Sequence, residues 1–187
     1  MLRLAELPAR PAAPSRTAPP APGGSVRVLG LDPGSRVTGY GLIEVCPRGP
    51  RYLASGAIRT CAGELAERLR KVYEDVSELV SRHGPDEIAV ERVFMHANPD
   101  SALKLGQARG AALCAAAGGG ARVFEYAPRQ VKLTVTGTGS AEKDQVQHMV
   151  KALLGLGGRL GSDAADALAI ALCHAQHRGI ALHARSR

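Results

Sequence analysis

The sequence contains no tryptophan, and four tyrosines and two phenylalanines make up only 3% of its 187 residues. A broad base-stacking platform of the single-strand-coating kind is therefore excluded, because each stacked base needs an aromatic face. No apolar run approaches the roughly eighteen residues of a membrane-spanning helix. Even residues 111–117 are alanine with one Leu and one Cys. The four cysteines, at 46, 61, 114 and 173, form no C-x-x-C pair and show no zinc-site spacing. They read as small core hydrophobes in a reducing cytosol, and a cytoplasmic location is expected. Six of the twelve prolines precede Gly23, so collagen-like and low-complexity readings fail from residue 26 onward.

What is present is positive charge. Lys and Arg number 24 against 17 Asp and Glu, a formal net charge of +7 with a pI near 9.6. That balance suits a phosphate-rich partner, with simple solubility as the alternative. Residues 1–25 hold six Pro and six Ala and no periodic apolar face. They are expected to be a disordered extension, and they lack the apolar core of a secretory signal.

From Val26 the chain reads as one domain to residue 178, followed by a basic tail, 179–187. Val26–Leu31 is a short β-prone run ending at Asp32, where Pro33-Gly34 turns the chain. Thr38–Val45 and Arg51–Thr60 read as two further strands, and three strands in succession imply antiparallel hairpins. Leu65, Leu69, Val72, Val76, Leu79 and Val80 recur at steps of three and four, the pattern of an amphipathic helix over 64–83, stopped by Gly84-Pro85. Glu87–Val93 is a strand with Glu91 near its end. Asn98 caps a helix with Pro99 in its first position, running to about Ala117. Ala121–Tyr126 is the fifth strand, and helices are expected at Pro128–Val135, Ser140–Leu154 and, with Ser162 as its cap, Asp163–His177. Thr136–Gly139 is expected to be a flexible hinge. The class is α/β, a five-stranded mixed sheet flanked by helices.

A strand that follows a helix usually returns parallel. The strands from 26 and 87 should therefore be neighbours, with Asp32 and Glu91 together at their carboxyl ends, where open α/β sheets collect their active sites. Asp163 and Asp166, three apart, share a face of the last helix's first turn. If that turn abuts the sheet edge, four carboxylates converge, which is unfavourable unless cations neutralise them. Oxygen ligands without His or Cys call for Mg²⁺, with Mn²⁺ as a substitute. Two such ions about 4 Å apart would clamp a phosphodiester undergoing hydrolysis. Taken singly, Asp32 is also a common turn residue, and acids at a helix N-terminus also complement the macrodipole. His174 lies about 16 Å along the helix from Asp163, too far to ligate the same ion.

LGLDPGSRVTGYGLIEV at 29–45, ERVFMHANPDSALKLGQARG at 91–110, VFEYAPRQVKLTVTGTGSAEKDQVQHMV at 123–150 and SDAADALAIALCHA at 162–175 closely resemble the RuvC family of Holliday-junction resolvases. The resemblance implies a ribonuclease H-like fold, a homodimer, and Mg²⁺-dependent nicking of two opposed strands of a four-way DNA junction, leaving 5′-phosphate and 3′-hydroxyl ends. It places the family's acidic quartet on Asp32, Glu91, Asp163 and Asp166. Lys132 and Lys143 match basic positions that support catalysis, and Phe94 matches an aromatic that stacks on a base in the opened junction. Arg92, Lys104 and Arg129 fall within the same motifs as expected DNA contacts. Ala97 departs from the family, which usually carries a lysine there, so one backbone contact is expected either to be missing or to move to Arg92 or His96. The RuvA and RuvB branch-migration machinery is the implied partner. A small-residue helix with Gly106, Gly110, Ala111 and Ala115 would allow close approach of a second copy, or tight packing on its own sheet. An RNA-acting YqgF-type relative, a catalytically silent junction binder and an actin-like ATPase remain as alternative readings.

Overall fold

A computed structural model of the chain describes residues 24–60, 63–92 and 99–185. Ten elements follow one another: β1 (Val26–Asp32), β2 (Val37–Cys46), β3 (Gly49–Arg59), α1 (Leu65–His83), β4 (Glu87–Glu91), α2 (Pro99–Gly118), β5 (Arg122–Tyr126), α3 (Pro128–Thr136), α4 (Lys143–Leu154) and α5 (Ser162–Arg185). The strands form one sheet in the order β3-β2-β1-β4-β5. The first three pair antiparallel, while β1–β4 and β4–β5 pair parallel. This is the mixed five-stranded sheet expected from the strand and helix succession.

Alternation along the central strands divides the core in two. Leu29, Leu31, Ile88 and Val90 pack with Val72, Val76 and Val80 of α1 and the alanines of α2. Val26, Val28 and Ala89 face the other way, onto α3, α4 and α5. Asp32 and Glu91 have the parity of this second face, so the strand period points both acids toward α5.

Helix α5 lies directly on a floor of glycines. A Cβ at Gly30 would stand 2.0 Å from the Ala167 carbonyl oxygen, one at Gly39 2.1 Å from that of Asp163, and one at Gly41 2.7 Å from the Leu168 side chain and backbone nitrogen. Any larger residue at these positions would lift the helix off the sheet.

Several boundaries differ from the sequence reading. The β2–β3 hairpin is tighter than expected, since Cys46 pairs with Gly49 and leaves a two-residue loop, with Gly49 absorbing a φ of +120°. Helix α4 starts at Lys143 rather than Ser140, because Glu142 and Gln145 form a reciprocal capping box. Ser162 is the first residue of α5 and not its cap; the Ala165 N–H bonds the Gly161 carbonyl. The same helix continues eight residues past His177 to Arg185, through part of the stretch expected to be tail. Thr136–Gly139 is a hydrogen-bonded turn. Gly137 closes α3 with φ +81°, and the Thr136 hydroxyl donates to the Thr138 carbonyl. Cys173 is buried, but Cys114 is exposed, contrary to its reading as core. The extension 1–23, Cys61, Phe94, His96, Ala97 and the Asn98 cap lie outside the described residues.

Candidate active site

The register that builds the sheet also assembles the acids. Leu31 pairs with Val90 across β1 and β4, so Asp32 and Glu91 are the next residues along two parallel neighbours and emerge on one face. Asp32 also pairs with Gly39, and the backbone of Asp163 rests against Gly39. The floor thus sets the first turn of α5 beside the end of β1. Without a side chain at 39, Asp163 and Asp166 descend to the level of Asp32.

Electrostatics show that these groups sense one another. Burial, then the charges of Asp166 and Asp163, push the Asp32 carboxyl up to about 6, with Lys143 opposing. Burial and the Asp32 and Asp166 charges push Glu91 up to about 7, against Lys143 and Lys132. Asp166 is also raised, chiefly by burial, although Lys143 and Lys132 pull the other way. The Lys143 Nζ donates to Asp166 Oδ2 at 3.5 Å. Both catalytic lysine candidates therefore lie within electrostatic reach of the acids.

Among the described residues, no three acidic, His or Cys side chains already stand as a cage for a single ion. The four acids are electrostatic neighbours rather than a closed coordination shell. The donors are nonetheless all oxygen, and desolvation with mutual repulsion leaves a charge deficit that a hard divalent cation would offset. The residues fit such an ion.

The other expected DNA contacts are more scattered. Arg92 follows β4, its backbone N–H bonding the Tyr126 carbonyl at 2.7 Å and its guanidinium 3.9 Å from Glu125. Lys104 is engaged by Asp100 one turn earlier on α2, at 2.6 Å. Arg129 is the second residue of α3 and packs its stem near Gly139. Of the proposed small-residue face, Gly106 is exposed and Gly110 half-buried beside the exposed Leu103 and Cys114, whereas Ala115 turns inward against the core. Only the outer part of that stripe is open to a partner.

Two features escaped the sequence reading. Arg109 of α2 donates to the Glu91 carbonyl at 3.3 Å and pairs with Glu125 at 2.8 Å, tying the end of β4 to α2. At the opposite end of β4, Glu87 is 2% exposed. Its carboxylate accepts from His174 Nε2 at 2.7 Å, bonds Arg122, and has Arg178 Nε at 3.0 Å in an ion pair not aligned as a hydrogen bond. Burial raises the Glu87 carboxyl, but the His174 hydrogen bond and the charges around it prevail and hold it below its ordinary value. An ionised Glu87 can only accept at His174 Nε2, and the other ring nitrogen, Nδ1, lies 2.7 Å from the Tyr126 hydroxyl, so the imidazole bridges β4 and β5. No sequence signal distinguished Glu87 from an ordinary strand-initial acid, because its partners lie 35 to 91 residues away.

The family model described as crossover junction endodeoxyribonuclease RuvC matches residues 28–174. The crossover junction endodeoxyribonuclease RuvC of Chromohalobacter salexigens is 59% identical over 156 residues, 83% of this chain and 84% of that protein. That of Methylococcus capsulatus is 58% identical over 152 residues, covering 81% and 92%. Among solved structures, Thermus thermophilus RuvC in complex with Holliday junction substrate superposes with a TM-score of 0.78 at 36% identity, covering 83% of this chain and 96% of that one. The yeast mitochondrial Holliday junction resolvase Ydc2, at 13% identity and a TM-score of 0.65, shares the fold. With its glycine-floored α5 and the acids of two parallel strand ends set against it, the chain belongs to the RuvC family of crossover junction endodeoxyribonucleases.

Proposed function

We propose that this chain resolves Holliday junctions, hydrolysing two opposed strands of a four-way DNA junction to leave 5′-phosphate and 3′-hydroxyl ends. The observation that carries the reading is the mutual charge of Asp32, Glu91 and Asp166 at one sheet edge, within the matched family region. Asp32, Glu91, Asp163 and Asp166 would hold Mg²⁺, as two ions, with Mn²⁺ able to substitute. Bound there, such a metal would supply Lewis-acid activation of water and neutralise charge at the phosphate.

The chain's own groups do the rest. Lys143 and Lys132 stand where they lower the negative potential of the acids and can meet the charge that builds on the phosphoryl oxygens. Phe94 stacks on a base of the opened junction, and Arg92, Lys104 and Arg129 contact backbone phosphates. Two copies pair through the outer face of α2, where Leu103 is 62% exposed and a Cβ at Gly106 or Gly110 would meet nothing. A two-fold dimer matches a substrate with two equivalent strands. RuvA and RuvB are the proposed partners, in the bacterial cytoplasm.

The test offers junction, duplex, single strand and structured RNA side by side with Mg²⁺ and maps every cut. Paired symmetric cuts confined to the junction support resolution. Cleavage of RNA alone moves the chain to the YqgF-type activity, and junction binding without cuts makes it a silent binder.

A further inference from the structure

We propose that a cavity next to the acids holds a backbone phosphate of the strand being cut, a few nucleotides from the phosphate that is hydrolysed. The inference rests on the junction-resolving reading and adds to it a second anchor, formed by Lys151 and Arg159.

The cavity, about 500 Å³, lies between α4 and the loop leading into α5. Its lining includes Lys151, Arg159, Gln147 and Ser162 and no carboxylate. Lys151 Nζ donates to the Gly158 carbonyl at 2.6 Å, which holds the ammonium at the wall and leaves two of its N–H groups for a ligand. Gln147 Nε2 donates to the Leu160 carbonyl at 2.7 Å, fixing the loop to the helix. Arg159 on that loop is exposed. Among the described residues neither cation is paired with an acid. Leu160 is the one large apolar residue of the lining and it packs back onto the core; two unneutralised cations with no aromatic face beside them suit a phosphate rather than a nucleobase.

The position of the cavity selects a polymer over a free anion. Lys143, Gln147 and Lys151 are spaced by four and share one face of α4. Lys143 reaches Asp166 at one end of that stripe, and Lys151 borders the cavity at the other. Eight residues at 1.5 Å rise separate the two ammonium-bearing positions by about 12 Å. Ser162, in the cavity lining, adjoins Asp163. Phosphates on a stacked strand recur at about 3.4 Å of axial rise, and more widely once the strand opens. A strand whose scissile phosphate lies at the acids would therefore lay a phosphate about two to four nucleotides away on Lys151 and Arg159.

The experiment uses the full chain, the double variant Lys151→Gln/Arg159→Gln, and a junction carrying one methylphosphonate at a time along the cut strand. Binding is measured with Ca²⁺ in place of Mg²⁺. The double variant is expected to bind the unmodified junction about tenfold more weakly at moderate salt, with the salt slope reduced by about one. Wild type is expected to lose affinity at one methylphosphonate position two to four nucleotides from the cut, and the double variant to lose nothing further there. Thermal unfolding and the charge-conserving Lys151→Arg, expected to bind as wild type, separate this from misfolding. Equal salt slopes, or the same response of both proteins at every position, overturn the subsite while cleavage by wild type leaves the functional reading standing. If wild type cuts no junction, the functional reading falls and takes the subsite with it. Competition by inorganic phosphate without any methylphosphonate effect would mark a free-anion site and also overturn the proposal.

Discussion

Replacing Asp32 by Asn should destroy cleavage and, in the absence of metal, stabilise the protein at pH 8. The substitution keeps the shape of the side chain and removes one charge from the cluster. Asp32 titrates at about 6 in the folded chain against an ordinary 3.8, so the folded state binds this proton more tightly than the unfolded one. The wild-type protein is accordingly at full stability, as far as this group is concerned, below about pH 4. It loses stability as pH rises from there through 6 and stays at the lower level above. A rise of about 2 in pKa at 1.36 kcal/mol each bounds the effect near 3 kcal/mol, and screening at the solvent-facing rim reduces it to about 1–2 kcal/mol. For a chain of this length that is a melting point higher by roughly 2–8 °C. Melting curves at pH 4 and pH 8 in EDTA, then with Mg²⁺, measure it. The variant should exceed wild type only at pH 8, and Mg²⁺ should raise wild type more than the variant. An Asn variant that shifts equally at both pH values would refute the claim that burial, reinforced by the neighbouring carboxylates, makes an ionised Asp32 costly to the fold.

Gly39→Ala should cost about 2 kcal/mol or more in urea unfolding, because its Cβ meets the Asp163 carbonyl at 2.1 Å; cleavage should fall further than stability does, since Asp163 moves with the helix. Glu87→Gln should cost about 3 kcal/mol by leaving Arg122, Arg178 and His174 around a neutral amide. The folded carboxyl titrates below its ordinary 4.5, so its stabilisation is present above pH 4.5 and lost as pH falls below it; the variant's melting point should therefore decline less between pH 5 and pH 3. Lys143→Ala should slow junction cleavage by about tenfold or more and reduce the salt slope of binding by about one; an unchanged slope would place it on a merely solvated face.

Much of this site was legible in the chain because its signals are local. β1 ends in an acid after an apolar run, β4 does the same, and two acids sit three apart at the start of α5. The parallel return through α1 brings the first pair together, and the register bears that out. What could not be read locally is contact between distant segments. The glycines at 30, 39 and 41 look like ordinary strand interruptions until α5 lies on them. Glu87 looks like an exposed strand start until His174 and Arg178 close over it. Boundaries slipped where capping was misjudged: Glu142 outcompetes Ser140 at α4, and Gly161 takes the cap assigned to Ser162. The small residues of α2 fit both a partner's approach and packing on the chain's own sheet, and they divide between the two: Gly106 faces outward and Ala115 joins the core.

Helix α5 is held at two places that differ in kind. Near its start, backbone meets backbone over the glycines; about three turns on, Glu87 of β4 grips His174 through a hydrogen bond and Arg178 through charge. Such a rod cannot slide along its axis or roll about it without breaking the grip, so its first-turn acids are indexed to β4, the strand that also carries Glu91. Spacing between carboxylates from the two elements is thus governed by a joint about 12 Å along the helix from Asp166 and about 16 Å from Asp163, and protonation of Glu87 would loosen that alignment from a distance.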